Sequence, residues 1–148
     1  MLEKMQVNDL NEVLELENEV LHSRWSYDQF LYELEQNEFA NLFVIRKQGE
    51  LVGFIDYWIT FEVCQLASIA VKEKYQRLGY AKLMMLEMEK YVSHYQCESI
   101  QLEVRVSNLK AIEFYKKIGY FKINIRKNYY GDTHEDAIVM AKALEVIK

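Results

Sequence analysis

The stretch Ala67-Ser-Ile-Ala-Val-Lys-Glu-Lys-Tyr-Gln-Arg-Leu-Gly-Tyr-Ala-Lys-Leu-Met-Met-Leu-Glu-Met88 decides how the rest of the chain is read. It opens on a short apolar run, Ile69-Ala70-Val71, and passes a charged connector, Lys72-Glu73-Lys74. It tightens at Gln76 to Ala81 and continues as a helix. Ala81, Met84, Met85, Met88, Tyr91 and Val92 recur on one helical face, with Lys82, Glu89 and Lys90 away from it. Strand, small-residue loop and helix in that order leave bare backbone N–H groups at a helix start. Such groups attract anions, so the loop is read as a pyrophosphate holder.

Leu2 to Val7 is expected as a short strand. Asn8 or Asp9 is expected to cap a helix carrying Leu10, Val13, Leu14, Val20 and Leu21. Ser26 to Gln29 reads as a capping box opening a second helix, with Phe30, Leu31 and Leu34 on its apolar face. His22-Ser23-Arg24-Trp25 between them is a loop with an aromatic anchor. Leu42 to Arg46 and Leu51 to Phe61 form a hairpin turned at Lys47 to Glu50. Gly53 inside the second arm predicts a bulge or a close backbone approach. Cys64 to Val71 is the next strand.

Downstream, Ser99 to Val106 alternates. Ile100, Leu102 and Val104 point one way, and Gln101, Glu103 and Arg105 the other. Ser107-Asn108 starts a helix with Ala111, Ile112, Tyr115 and Ile118 as its apolar positions, stopped at Gly119. Tyr120 to Ile125 is a strand, Arg126 to Asp136 a polar and aromatic loop, and Ala137 to Leu144 the last strand. The order β-α-α-β-β-β-α-β-α-β-β defines an α/β chain with a mixed central sheet flanked by helices, read as one domain over residues 1–148.

Composition narrows the function. The 148 residues are 51% hydrophobic and 28% charged, as expected of a folded soluble chain. No apolar run has the length of a membrane span, and the start, Met1 to Gln6, lacks a signal pattern, so the expected location is the cytoplasm. Cys64 and Cys97, with His22, His94 and His134, show no metal-ligand spacing, and no metal is expected. The formal net charge of -5 is the wrong sign for nucleic acid as main partner and suits a basic one.

Which pyrophosphate the loop holds is decided by comparing patterns. After Gly79 comes Tyr80-Ala81-Lys82-Leu83, not the Gly-Lys-Ser/Thr of a Walker loop. The Gly-x-Gly-x-x-Gly of a dinucleotide site is absent too. What remains is Gln/Arg-x-x-Gly-x-Gly/Ala between a strand and a helix. It is followed by Leu102-Glu103-Val104-Arg105-Val106-Ser107-Asn108, by Ala111, and by Phe114-Tyr115-Lys116-Lys117-Ile118-Gly119-Tyr120. Arg126-Lys127-Asn128-Tyr129-Tyr130 and Glu135 to Met140 come next, and Trp25-Ser26 lies upstream.

This set of motifs resembles the GCN5-related N-acetyltransferase (GNAT) superfamily, and within it the bacterial ribosomal-protein-alanine N-acetyltransferases (the RimI family), over about residues 25–140. Two positions depart from the pattern: Arg24 stands where Pro is frequent, and Ala81 where Gly is.

The resemblance implies a single GNAT-type domain that transfers acetyl from acetyl-CoA, its co-substrate, to an amine. It assigns Arg77, Leu78, Gly79, Tyr80, Ala81 and Lys82 to the pyrophosphate, and the backbone of Ile69, Ala70 and Val71 to the pantetheine and thioester. The side chains of Ile69 and Val71 are expected in the core. Asn108 is a helix cap, a coenzyme contact or both. Alternation alone leaves Glu103 either lining a cleft or facing water; the resemblance implies a general base. Helical spacing alone leaves Tyr115 a core aromatic; the resemblance implies the acid that protonates the leaving thiolate. Trp25, Tyr129 and Tyr130, with Asn128 and Asp132, are candidates for a peptide slot, where acidic residues would favour a basic segment. The implied acceptor is the N-terminal alanine of a ribosomal protein, small-subunit protein number eighteen, presented on a basic N-terminal peptide. The rival readings are a GNAT enzyme acting on a Lys side chain or a small amine, a non-catalytic acyl-CoA sensor, and a plain interaction domain.

Overall fold

The structure is a computed structural model and describes residues 1–21 and 25–145. The expected loop at His22, Ser23 and Arg24, including any effect of Arg24 on its shape, lies outside the described residues. The elements are β1 Leu2–Lys4, α1 Leu10–Val20, α2 Tyr27–Glu35, β2 Ala40–Lys47, β3 Glu50–Ile59, β4 Val63–Val71, α3 Tyr80–Ser93, β5 Ser99–Arg105, α4 Leu109–Lys117, β6 Phe121–Arg126 and β7 Ala137–Ala143. The order is the one the sequence predicts, with two short 3-10 turns added at Val7–Asp9 and Glu73–Tyr75.

The sheet has seven strands in the order β1-β2-β3-β4-β5-β7-β6. Only β4 and β5 run parallel. Strand alternation sends side chains to two cores. On one face Ile55, Tyr57, Leu102 and Val104 pack with Met84, Met85 and Met88 of α3 and Ile112 of α4. On the other, Leu42, Val44 and Phe54 pack with Leu10, Val13 and Leu16 of α1 and Phe30 of α2. Each such side chain contributes about 1.5–3 kcal/mol when fully buried.

The first helix start departs from expectation. Asp9 does not cap α1 with its side chain. Its carboxylate turns back to accept the Gln6 N–H at 2.8 Å and pairs with Arg46 of β2. It therefore closes the preceding 3-10 turn, because a cation 37 positions away competes for the same oxygens. α2 begins as predicted: Ser26 Oγ accepts from the Gln29 N–H at 3.1 Å, and Gln29 Oε1 accepts from the Ser26 N–H at 2.7 Å. Trp25 before the cap packs on Phe30, ring centroids 4.8 Å apart, as a hydrophobic staple at the start of α2. Tyr120 precedes β6 instead of opening it.

Gly53 serves both roles predicted for it. Ile45 pairs with Gly53 but Arg46 with Leu51, so Val52 is the extra residue of a bulge. A Cβ on Gly53 would lie 2.6 Å from the Ala70 carbonyl oxygen and 3.2 Å from Met84 Cε. Gly53→Ala is expected to destabilise the fold by about 1–3 kcal/mol, as overpacking does. A denaturant midpoint unchanged from that of the unsubstituted chain would show that β3 and β4 lie farther apart.

A second irregularity shapes the functional region. Asp56 pairs with Ser68 and Tyr57 with Leu66, so Ala67 is bulged out of the β3–β4 ladder. Bulges bend and twist a strand. β4 pairs with β5 only through Val63, Cys64 and Gln65, against Ser99 to Gln101. Beyond Gln65 the two parallel strands diverge.

Candidate active site

The divergence opens the middle of the sheet. From Leu66 onward the β5-facing backbone edge of β4 has no strand partner. Backbone N–H and C=O groups seek partners, so such an edge is a ready receptor for an extended ligand. Two adjoining cavities occupy the opening. The larger, about 520 Å³, is walled by Trp25, Trp58, Gln65, Glu103 and Tyr129 among others. The smaller, about 230 Å³, runs into the gap and is lined by Ser68, Ile69, Glu103, Asn108, Tyr115 and Tyr130 among others. Trp25, Leu66, Ala67 and Glu103 belong to both.

Glu103 stands at the junction. Alternation turns it to the α1/α2 face, where its side chain keeps 15% exposure, so it lines the cleft and is shielded from bulk water. Its Oε2 accepts from Gln65 Nε2 at 2.6 Å, and its Oε1 lies 3.4 Å from Arg126 Nε. A carboxylate so held is oriented, and its remaining acceptor capacity opens to the cavities.

Tyr115 lies across the gap on α4. It is 8% exposed, edge-packed against Phe114 and Tyr120 at 5.3 and 6.0 Å. Its hydroxyl has no hydrogen-bond partner among the described residues. Burial, and then the neighbouring Tyr130 hydroxyl, push this phenol above its ordinary range, so it stays protonated. Asn108 caps α4, its Oδ1 accepting the Ala111 N–H at 3.2 Å, and its side of the helix start lines the smaller cavity.

The loop expected to hold an anion lies beyond the end of β4. Gly79 takes φ 92° as the residue before α3, and Arg77 takes φ 66°. The first helical hydrogen bond runs from the Leu83 N–H to the Gly79 carbonyl at 2.9 Å. The Tyr80, Ala81 and Lys82 N–H groups therefore stand outside the ladder, at the positive end of the helix. Ala81 is already helical, so the restricted φ of Ala costs nothing there. Ile69 lines the gap and packs against the same core as the buried Val71, as expected, while Ala70 is buried in the other core. The Val71 carbonyl is taken by Gln76 Nε2 at 3.0 Å.

The loop between β6 and β7 corrects two expectations. Asp132 is not a free acid at the mouth. Arg105 holds it with two hydrogen bonds, at 3.1 and 3.0 Å, and these hold its carboxyl below the ordinary range. Asn128 lies at a turn with φ 51°, its N–H given to Asp136 at 2.9 Å, and lines neither cavity. Arg105 also lies 4.0 Å over the Tyr130 ring. The clamp places Tyr129 and Tyr130 against the opening. Gln65, Trp58, Ser68 and Arg105 all escape sequence reading. Only Arg105, inside the Leu-Glu-Val-Arg motif, carried a signal that could have found it.

The site is thus a mixed sheet split between its two parallel strands, with a helix start beyond the split and a carboxylate and a phenol lining the same opening. The acetyltransferase (GNAT) family model matches residues 7–120, and the chain belongs to that family. It is 36% identical to a Bacillus subtilis (strain 168) protein proposed to be a ribosomal protein bS18-alanine N-acetyltransferase, over 92% of this chain and 90% of that one. It is 34% identical to an N-alpha-acetyltransferase of Sulfurisphaera tokodaii, over 93% of this chain and 89% of that one. The crystal structure of the ribosomal-protein-S18-alanine N-acetyltransferase from Escherichia coli superimposes with a TM-score of 0.89 at 27% identity, covering 100% of this chain and 96% of that one. The chain is thus an acetyltransferase of the GNAT type, similar to the RimI enzymes. Among the described residues no helix is long and apolar enough to cross a membrane.

Proposed function

We propose that this acetyltransferase moves an acetyl group from acetyl-CoA to the α-amine of an N-terminal alanine on a ribosomal protein of the small subunit, in the cytoplasm. The observation that carries the reading is the placement of Glu103 and Tyr115 on one cavity, within the gap where β4 leaves β5. The names of the relatives support the acceptor, and the net charge of -5 suits a basic peptide.

The parts fit the donor. The free N–H groups of Tyr80, Ala81 and Lys82, with Arg77, Leu78 and Gly79 leading into them, suit a pyrophosphate. The β4 edge at Ile69 to Val71, which β5 does not pair, suits an extended pantetheine, and Asn108 flanks it. On the acceptor side Trp25, Tyr129 and Tyr130 wall a slot for the peptide.

The chemistry follows from the pKa values. An α-amine of pKa ~7.7–8.0 is about one-tenth neutral at pH 7, whereas a lysine at ~10.4 is neutral about once in two thousand. Glu103, directly or through one water, has only a modest proton to remove. The neutral amine attacks the thioester carbonyl in a ternary complex. As the C–S bond breaks, Tyr115 gives its proton to the departing sulfur. No acyl-enzyme is formed; Cys64 and Cys97 are both buried outside the cavities.

Incubation with acetyl-CoA and a library of peptides differing in their first residue, read by mass spectrometry, tests the proposal. Acetylation confined to the α-amine, with alanine first among starting residues, is expected. Acetylation on lysine and never on an α-amine would remove it.

A further inference from the structure

A pair of buried carboxyl groups lies behind the acceptor side of the opening. Asp56 of β3 faces the α1/α2 side, between Leu42 of β2 and Ser68 of β4 in the register. It is 0% exposed, and neither of its oxygens accepts a hydrogen bond. Beside it is Glu33 of α2, also buried. Glu33 is well supplied: Oε1 accepts the Trp58 indole N–H, and Oε2 accepts from Asn37 Nδ2 at 3.0 Å.

An ionised carboxylate without a donor is strongly disfavoured in such a place, and the group neutralises instead. Burial first, and then the Glu33 carboxyl, push Asp56 up to about 10. A protonated carboxyl is a donor, and the acceptor next to it is Glu33. Glu33 in turn reaches the cavity through Trp58. Trp58 is a wall of the larger cavity and the register partner of Gln65, which holds Glu103. The indole thus stands on the same face as the candidate base, with β4 between them.

We infer that Asp56 and Glu33 share one proton across a carboxyl–carboxylate hydrogen bond, and that this pair positions Trp58 as the wall limiting the size of the acceptor's first residue. The size-limiting half rests on the proposed reading of the larger cavity as the acceptor side. Asp56 and Glu33 are positioning residues; they act through the indole. A charged acceptor behind the indole N–H holds the ring by a charge-assisted bond, and the proton on Asp56 keeps a single charge in the buried pair.

Two measurements on the intact chain decide the inference. In protein labelled with carbon-13 at the aspartate carboxyls, infrared difference spectra against Asp56→Asn should show a protonated-carboxyl stretch that persists at mildly alkaline pH. Its absence overturns the shared proton. Trp58 indole hydrogen exchange should be slow in the unsubstituted chain and in Asp56→Asn, whose amide still donates to Glu33. It should be fast in Glu33→Leu; equal exchange in all three overturns the positioning. Should Glu33→Leu fail to fold, Glu33→Gln, which keeps an oxygen for the indole, should exchange slowly. Fast exchange in Glu33→Gln overturns the positioning as well.

With acetyl-CoA and short peptides starting with Ala or Met, Trp58→Ala should raise kcat/KM for Met relative to Ala by about tenfold, the scale of one or two methylenes in a pocket. The KM for acetyl-CoA should not move. An unchanged Ala-to-Met ratio overturns the size limit. A chain that acetylates no α-amine removes the proposed function and the size limit together. The infrared band and the indole exchange then still decide the carboxyl pair.

Discussion

Tyr115→Phe is expected to lower kcat by about 10²-fold or more, the scale of a positioned general acid, while the KM for acetyl-CoA stays within about twofold. The split is expected because the ring and the hydroxyl have separate tasks. The ring is held by Phe114 and Tyr120 and fills its place in the α3/α4 core. Phe occupies the same space, so binding and stability are retained. The hydroxyl makes no other hydrogen bond among the described residues, so its loss removes only what it does for the reaction. A thiolate with parent pKa of roughly 8.5 is a weaker base than a phenolate, so transfer from Tyr115 is favourable only when the sulfur is also desolvated, as the gap requires. Burial raises the phenol above its ordinary value. The rate should therefore show no alkaline loss from Tyr115 within the stable range of the enzyme. Steady-state kinetics with both substrates varied checks this; equal losses in turnover and acetyl-CoA affinity would remove the acid role.

Asp56→Asn is expected to make the fold more stable, by up to about 4 kcal/mol at pH 7, with the gain vanishing near pH 4. The sign follows from linkage. The folded-state pKa of Asp56 is about 10, raised by burial and then by Glu33, whereas the unfolded chain carries an ordinary carboxyl. A raised pKa contributes stability that is complete below the unfolded value and is lost as pH climbs toward the folded one. Between about pH 4 and pH 10, folding must therefore take up a proton at Asp56, at about 1.4 kcal/mol per pH unit. Asparagine has the same shape, donates to Glu33 and needs no proton. Urea titrations of both proteins at ~pH 4.5 and ~pH 7.5 measure the difference. A gap that does not change with pH would mean that Asp56 is ionised in the folded chain.

These two residues differ in how far they could be read in advance. Tyr115 sat in a motif, Phe-Tyr-x-x-x-Gly-Tyr, at a helical position facing inward, and its candidacy came from the resemblance. Asp56 looked like any polar residue in a strand, between Ile55 and Tyr57. Nothing near it in sequence announced that α2 would cover it. Glu103 falls between the two. Alternation placed it opposite Leu102 and Val104, but whether that side met water depended on the β6–β7 loop. The loop closes over it because Arg105 takes Asp132 at a separation of 27 residues. The same long-range pairing overturned the expectation that Asp132 offers a free charge, and Arg46 did likewise to the cap expected at Asp9.

What the chain encodes within a few residues was legible: the capping box at Ser26 and Gln29, the tight loop from Gln76 to Ala81 into α3, the alternation of β5 and the stripe of methionines on α3. Each depends on neighbours three or four positions away, where backbone geometry leaves few options. The register between strands is different. It brings Gln65 to Glu103, Trp58 beside Gln65, and Asp56 under Glu33, and it is set by how two bulges, at Val52 and Ala67, offset strands that touch along their length. A one-residue change in either bulge turns every later side chain to the opposite face. The helix-start loop before α3 was therefore legible in the sequence, while the cavity beside Glu103 took its walls from strand register, which no local pattern of residues carries.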